Sequence, residues 1–585
     1  PSRLKTMSLP RRNRTASRMR QGEIVQSVEY QTNNFEKSTL MNIKFNPVHL
    51  VIALALCLSP GMLLADGAFK EEVLSRLQVQ GGKGNPQIGE QALYGNLFLA
   101  NLYQANGYER VWDDDSIAVL KEEIHNLKDD GLNPEDYWFA SIDALLEQQG
   151  GVDTSSAVDL DMMLSEAFLR AYYNLLVGKA DPERLDKNFN ISGPLQADKL
   201  RPELIEQLEK GRFAEAFAQA RPETERYSGL KDALALYRGY QAAGGWLEVQ
   251  KGKTLKPGDR GARVAQVRAR LAVTGDYTAS TGDPELYDSS LEVAVKHFQD
   301  RHGLDADGAV GAQTIVAMNL PVEQRIDQLR VNLERQRWYD QEAHGEFIIA
   351  DIAGYYVHWI KDDQVIWSAK AQVGKGYTET PVFKDTMRYI EFNPTWTIPS
   401  GILYRSTLPK LKKDPDYLTK KGYLLLTQDG KEVDPETVDW ATVKRTPYIV
   451  RQPPGPDNAL GLVKFMFPNK HAVYLHDTNH REHFADTKRS FSSGCVRVDK
   501  PFDLAEKLLE GQGDWDRNKI DEVVASGKTT RVNLEKRVRI IIAYGTALAR
   551  DGQVQFREDI YNRDAKVLKA LDAQFKVRAR DLAGR

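Results

Sequence analysis

From residue 66 to about residue 250 the apolar positions recur at helical spacing. Leu164, Phe168, Ala171, Tyr172 and Leu175 share one helix face, and Gly178 follows where a helix would end in a left-handed residue. Similar amphipathic stretches begin near Ile117 and Leu204, so residues 66–250 read as a helical scaffold domain whose Tyr and Trp side chains serve its core. After Gly244-Gly245 and the loop Lys256-Pro-Gly-Asp-Arg-Gly261 comes a smaller helical unit, 251–320. Val264, Val267 and Leu271 form one stripe in it, and Leu291, Val295 and Phe298 another, ahead of a turn-rich run from His302 to Gly311. A polar, charged segment, 321–344, reads as a linker helix.

Beyond the linker the period changes to two. Phe347–Ile352, Tyr355–Ile360, Val365–Ser368, His471–Leu475 and Arg537–Tyr544 read as strands of a mainly β domain, 345–550. A Lys- and Asp-rich interruption at about 402–450 reads as an excursion over the β core, of the kind that forms lids, and 551–585 is a C-terminal segment. The expected fold class is multidomain α+β.

The first 40 residues are polar and basic, and read as a disordered tail or as an extension upstream of the true start. Residues 41–65 then have the order of a signal peptide: Met41–Lys44, the apolar run His49–Cys57, and small residues Leu63-Leu-Ala65 ahead of Asp66. A retained membrane anchor is the alternative, although Pro60 and Gly61 interrupt it. Either reading delivers the rest of the chain outside the cytoplasm.

Composition narrows the function. A chain of 585 residues is too long for one core, and 41% hydrophobic with 28% charged residues excludes wholesale disorder. The net charge of −3 and the lack of a basic stripe leave no footprint for nucleic acid. Of two cysteines, Cys57 lies in the targeting segment, so the exported protein carries Cys495 alone. A single thiol in an oxidising compartment has no disulfide partner, and is either used chemically or buried and inert.

Two Gly-Lys-Thr triplets, at Gly252 and Gly527, are not phosphate loops, because Leu247 and Glu522 stand where an earlier Gly is required. His476, His480 and His483 have spacings that suggest a zinc site, but a strand ending at His476 spoils the helical geometry and no Glu follows it, so no metal is expected. The stronger constellation is Tyr474-Leu475-His476-Asp477-Thr478 followed by Ser492-Ser493-Gly494-Cys495-Val496-Arg497. A thiol becomes an efficient nucleophile when an imidazole can take its proton, and a strand ending at His476 can meet a turn ending at Cys495. Gly494 allows backbone N–H groups to converge on an oxyanion. Asp499 and Pro501 read as the start of a helix carrying Phe502, Ala505 and Leu508, whose positive end would favour a thiolate.

These residues carry a resemblance. His476 followed at this distance by Ser492-x-Gly-Cys-Val-Arg497 is similar to the signature of the L,D-transpeptidases with a YkuD-type catalytic domain. Val373-Gly-Lys with Thr380-Pro381, Asn393-Pro-Thr-Trp396, and Ala543-Tyr544-Gly-Thr546 with Phe556–Tyr561 extend the likeness to the large Gram-negative subgroup, with its helical scaffold and capping subdomain. Leu255–Gly258, Ala294-Val295 with Phe298-Gln299, Gly303-Leu304, Asp307-Gly308, Gly311 and Thr314 resemble the three-helix peptidoglycan-binding module, whose role would be binding or purely architectural. Ser493 stands where many members have His.

The resemblance implies a periplasmic acyltransferase without cofactor. Cys495 would attack a donor tetrapeptide stem and release D-alanine; a diaminopimelate side-chain amine would then take the acyl group, giving a 3→3 cross-link. His476 would be the base, Tyr474 and the backbone around Gly494 the oxyanion surroundings. Arg497 would steer a carboxylate or form an ion pair at the helix start, and Ser492 would meet substrate or brace the turn. Carbapenem β-lactams are the implied inhibitors and cell-wall synthases the implied protein partners. The rival readings are an L,D-carboxypeptidase, an acyltransferase that anchors a lipoprotein, and a non-catalytic wall-binding scaffold.

Overall fold

The computed structural model describes residues 60–78, 87–88, 91–147, 153–191, 197–278, 282–340, 342–550 and 552–576. The expected extension, 1–40, lies outside them, as do residues 41–59 of the expected signal segment; a helix, Pro60–Gln78, covers the remainder of that segment. Among the described residues no helix is long and apolar enough to cross a membrane.

Five of the scaffold's helices are α1 (Asn96–Ala105), α2 (Asp114–Asn126), α3 (Thr154–Val177), α4 (Phe213–Ala220) and α5 (Glu225–Ala242). Short polar side chains start them: Asp113 and Ser116 form a capping box on α2, and Asp153 accepts from Ser156 N at the head of α3. The stripe Leu164, Phe168, Ala171 and Leu175 is fully buried on α3. Gly178 ends the helix at φ 88°, and a Cβ there would lie 2.5 Å from Glu334 Oε1, so this glycine serves both the turn and a close approach. The next unit has its own core, formed by α6 (Ala262–Val273), α7 (Ser289–Arg301) and α8 (Ala312–Met318), with Val264, Val267, Leu271, Leu291, Val295 and Phe298 all at zero exposure.

The charged segment that reads as a linker is instead a buried strut, α9 (Val322–Asp340). Toward its C-terminal half it tolerates burial because its charges are paired. Arg337 and Glu334 bridge at 2.6 Å with both side chains inaccessible, Arg335 reaches Asp564 at 2.7 Å, and the Asn332 amide donates to Thr546 Oγ1. Leu329 and Leu333 pack against Leu230 and Leu234 of α5, which ties the scaffold to the β domain.

That domain opens with β1 (Glu346–Asp351), β2 (Tyr356–Lys361), β3 (Gln364–Gly374) and β4 (Phe383–Phe392). An inserted four-stranded sheet follows, β5 (Trp396–Thr397), β6 (Leu424–Leu426), β7 (Glu432–Val433) and β8 (Ile449–Gln452), in the order β5-β8-β6-β7. It has a separate core around Trp440, Leu411, Leu418 and Leu425. The chain returns in β9 (Val463–Met466), β10 (Leu475–His476), β11 (Ser490–Ser492), β12 (Val496–Val498), α10 (Pro501–Leu509) and β13 (Thr530–Ala543). A hairpin, β14 (Ala547–Arg550) and β15 (Gln553–Phe556), and α11 (Asp564–Leu571) complete it.

The main sheet runs β11-β3-β12-β10-β9-β4-β13-β1-β2, and β2 pairs back onto β3, so the sheet closes on itself. Mixed α and β layers around separate cores make the α+β class plain. One expected strand is shorter than its pattern: of His471–Leu475 only Leu475 pairs. Ala472 is left-handed at φ 53°, and the Asn469 side chain takes the N–H groups of His471 and Val473, so local turn chemistry outcompetes the ladder.

Candidate active site

Three short strands place the reactive residues. β10 and β12 are parallel, with Leu475 beside Val496 and His476 beside Arg497. β9 sets Lys464 opposite His476, and β3 sets Gln372 opposite Arg497. Successive strand residues point to opposite faces, so Leu475, Val496 and Phe465 fill the core at zero exposure while His476, Arg497, Lys464 and Gln372 share the other face. Two residues upstream, Tyr474 and Cys495 join that face, held together by Val496 N donating to Tyr474 O at 3.1 Å.

The Cys495 thiol is half-buried, free of any disulfide, and lies 3.7 Å from the Ala472 carbonyl. Burial pushes it above its ordinary value, while hydrogen bonds from Tyr474 and the charges of Lys464 and Arg497 pull the other way. Tyr474 is itself held well above its ordinary value by burial and by Cys495. The Lys464 ammonium sits 4.2 Å from the Tyr474 ring centre and is depressed by burial, with Glu391 and Cys495 opposing that fall.

The turn before the nucleophile is braced from within. Gly494 N donates to Ser492 Oγ at 3.0 Å, and Ser492 Oγ donates to Cys495 O at 2.5 Å. Gly494 has φ 122°, a region other residues rarely adopt. Ser492 thus occupies the Gly494 N–H, while the Cys495 N–H has no acceptor among the described residues and stays a free donor of this turn.

His476 is 3% exposed and donates Nδ1–H to Asp477 O at 2.5 Å, the tautomer that a carbonyl acceptor requires, so Nε2 keeps its lone pair. Burial and then Arg497 lower its pKa to about 3. No hydrogen bond joins His476 to Cys495: the two lie diagonally across the parallel pair, with the Tyr474 ring 5.6 Å from the imidazole. Arg497 donates to Gln372 Oε1 at 3.1 Å, its Nε has no partner, and among the described residues it bridges no carboxylate, so the ion-pair reading of Arg497 is not what the structure shows.

The expected helix effect on the thiol also fails. Strand β12 separates Cys495 from Pro501 and carries the chain roughly 10 Å away, beyond the reach of a helix terminus. The three histidines do not meet either: His480 and His483 gather with Glu482 in an exposed loop, while His476 stays on the sheet. The sequence reading missed Lys464, Gln372 and Trp396. The first two lie on strands distant in sequence, and only the register reveals them; Trp396, on the first strand of the insertion, moderates the rise that burial gives the Tyr474 hydroxyl.

Comparison with known proteins gives three matches along the chain. Residues 345–528 match the L,D-transpeptidase catalytic domain, 98–234 the scaffold domain, and 260–318 the "Putative peptidoglycan binding domain". A "Putative L,D-transpeptidase" of Haemophilus influenzae is 36% identical over 240 residues, 41% of this chain and 48% of that protein. The chain thus spans about half the length of the curated relative it matches. Among solved structures, an L,D-transpeptidase from Xylanimonas cellulosilytica (15% identical, covering 51% of this chain and all of that one, TM-score 0.17) and one from Stackebrandtia nassauensis (13%, 52% and 98%, TM-score 0.20) are similar, at scores too low to carry any argument. The chain therefore carries an L,D-transpeptidase catalytic domain preceded by a scaffold domain and a peptidoglycan-binding domain.

Proposed function

We propose that the protein is a peptidoglycan L,D-transpeptidase of the cell envelope that forms 3→3 cross-links through a Cys495 thioester. The observation that carries the reading is the shared face of Tyr474, His476, Cys495 and Arg497, with a thiol kept protonated by burial until a base takes its proton. Cys495 Sγ attacks the carbonyl between diaminopimelate and the terminal D-alanine of a tetrapeptide stem, and its proton passes to His476 Nε2. The oxyanion is met by the Cys495 N–H and the Tyr474 hydroxyl. As the intermediate collapses, His476 returns the proton to the departing D-alanine amine, leaving a thioester. A diaminopimelate side-chain amine attacks that thioester, its proton goes back through His476 to sulfur, and the amide cross-link leaves. Hydrogen bonds that are long in the free enzyme shorten once substrate is bound, which answers the missing His476–Cys495 bond.

Arg497 deserves its place in this scheme through charge. After burial it is the largest influence lowering the basicity of His476. A substrate carboxylate seated on Arg497 would neutralise that influence and make the imidazole a stronger base only when substrate is present. The large inserted sheet, whose first strand carries Trp396 near Tyr474, is what favours transfer to an amine over hydrolysis in this reading. Incubating the purified protein with disaccharide-tetrapeptide and resolving the products by mass tests the reading. Cross-linked dimers and free D-alanine are expected, both absent for Cys495→Ala. Trimmed tripeptide alone would make the enzyme a carboxypeptidase, and unchanged products for Cys495→Ala would remove the thiol from the mechanism.

A further inference from the structure

A cavity of about 600 Å³ lies between α8, α9 and the chain that follows β15, within reach of none of the four residues above. Val316, Ala317, Leu320 and Phe556 give it an apolar wall, and Arg325 and Arg557 line it as well. Arg325 is 6% exposed, yet its hydrogen bonds go to Gln328 Oε1 at 2.8 Å and Ala317 O at 3.3 Å, and it stacks 4.4 Å from the Phe556 ring centre. Arg557 donates to Phe556 O and Gln555 Oε1. Among the described residues neither arginine pairs with a carboxylate.

The carboxylates that line the same cavity are engaged elsewhere. Asp559 accepts from the Tyr544 hydroxyl and two backbone N–H groups, Asp564 is held by Arg335 and Thr546, Glu558 bridges Lys488, and Asp327 bridges Arg330. Arg325 is therefore a buried cation of this wall that no carboxylate faces among the described residues, while the charge of Arg557 is partly offset by Asp351 and Asp300. Burial, with the charges of Arg301 and Arg270 and against the opposing influence of Tyr237, pushes the pKa of Arg325 down to about 9. A buried guanidinium without a counter-charge is costly unless an anion completes it.

We infer that this cavity binds a free carboxylate of a peptidoglycan stem peptide, its charge on Arg325 and Arg557 and its aliphatic part on Val316, Leu320 and Phe556. This assignment rests on the proposed wall function, since it is the peptide chemistry of the wall that supplies a carboxylate on an aliphatic body. It gives the unit matched at 260–318 a defined place to hold wall material, at its junction with the strut rather than on its outer face. A planar guanidinium recognises a carboxylate through paired N–H donors, and a buried one does so most strongly.

The test is calorimetric titration of the full chain, its Cys495 first alkylated with iodoacetamide, with disaccharide-tripeptide, which has no terminal D-alanine to lose. Saturable binding is expected, and Arg325→Gln with Arg557→Gln should weaken it by roughly ten-fold or more. Val316→Trp, which fills the cavity from a 65% exposed rim position without touching either arginine, should weaken it as well. Thermal unfolding of each variant checks the fold; if the arginine variant fails to fold, Val316→Trp decides alone. No binding to the parent protein, or equal binding by a well-folded variant, overturns the inference. D-alanine release from disaccharide-tetrapeptide by unalkylated protein is read in parallel. Its absence would sink the catalytic reading, whereas weakened binding with release intact is what a separate site requires.

Discussion

Replacing Ser492 with alanine separates a brace from a substrate ligand. Its hydroxyl is 2% exposed and links the two residues that present the nucleophile, accepting from Gly494 N at 3.0 Å and donating to Cys495 O at 2.5 Å. Losing the neutral bond to Cys495 O costs about 1 kcal/mol, and leaving the buried Gly494 N–H without an acceptor costs about 1–3 kcal/mol. The variant should therefore lose about 2–4 kcal/mol, which for a domain of this size lowers the unfolding midpoint by about 4–16 °C. Released from Ser492, the turn at Gly494 no longer fixes the Cys495 N–H, so acylation should slow as well. Scanning calorimetry and the rate of adduct formation by intact mass read the two effects together. An unfolding midpoint within a degree of the parent's, with only KM for the peptide raised, would refute the argument and make Ser492 a substrate contact.

Three further outcomes follow from the same geometry. Tyr474→Phe and Lys464→Met each remove an influence that favours the thiolate, so the pH at which iodoacetamide alkylates Cys495 should rise in both; an unmoved profile would detach those residues from the thiol. His476, buried and neutral, has its pKa lowered from an ordinary 6.5 to about 3, so the unfolded chain binds the extra proton first and the contribution of His476 to stability is lost as pH falls from about 6.5 towards 3. His476→Gln should flatten that part of the stability profile measured by denaturant unfolding, and an identical profile would contradict the burial argument. Gly461→Ala should destabilise the domain by about 1–3 kcal/mol, read by denaturant unfolding, because Gly461 has φ 61° and a Cβ there would collide with the Asp477 carboxyl, beside His476.

The helices and long strands were legible because their burial is one-sided: the stripe on α3 and the alternation in β1, β2 and β13 state their faces directly. Cys495 and His476 were conspicuous for a different reason, a scarce thiol and an imidazole near it in the chain. What local pattern could not carry was register. Lys464 and Gln372 reach the site because β9 and β3 pair there, contacts that span 12 and 125 residues. Nor could it show that Arg335, Arg337 and Glu334 are buried, since hydropathy scores a charged residue alone and the structure buries it in pairs. The helix at Pro501 was correctly read as a helix, but its distance from the thiol depends on three residues of extended chain that carry no turn signal.

The insertion departs and returns at a single point. Phe392 and Val463 are paired neighbours on β4 and β9, and Asn393 N donates to Leu462 O at 2.8 Å across the neck. Cut at that neck, the two strands would remain an ordinary antiparallel hairpin, with Lys464 still opposite His476. The inserted sheet, with a core of its own, is thus an interchangeable cassette: it can be lengthened, replaced or lost over evolutionary time while the residues beneath it keep their register.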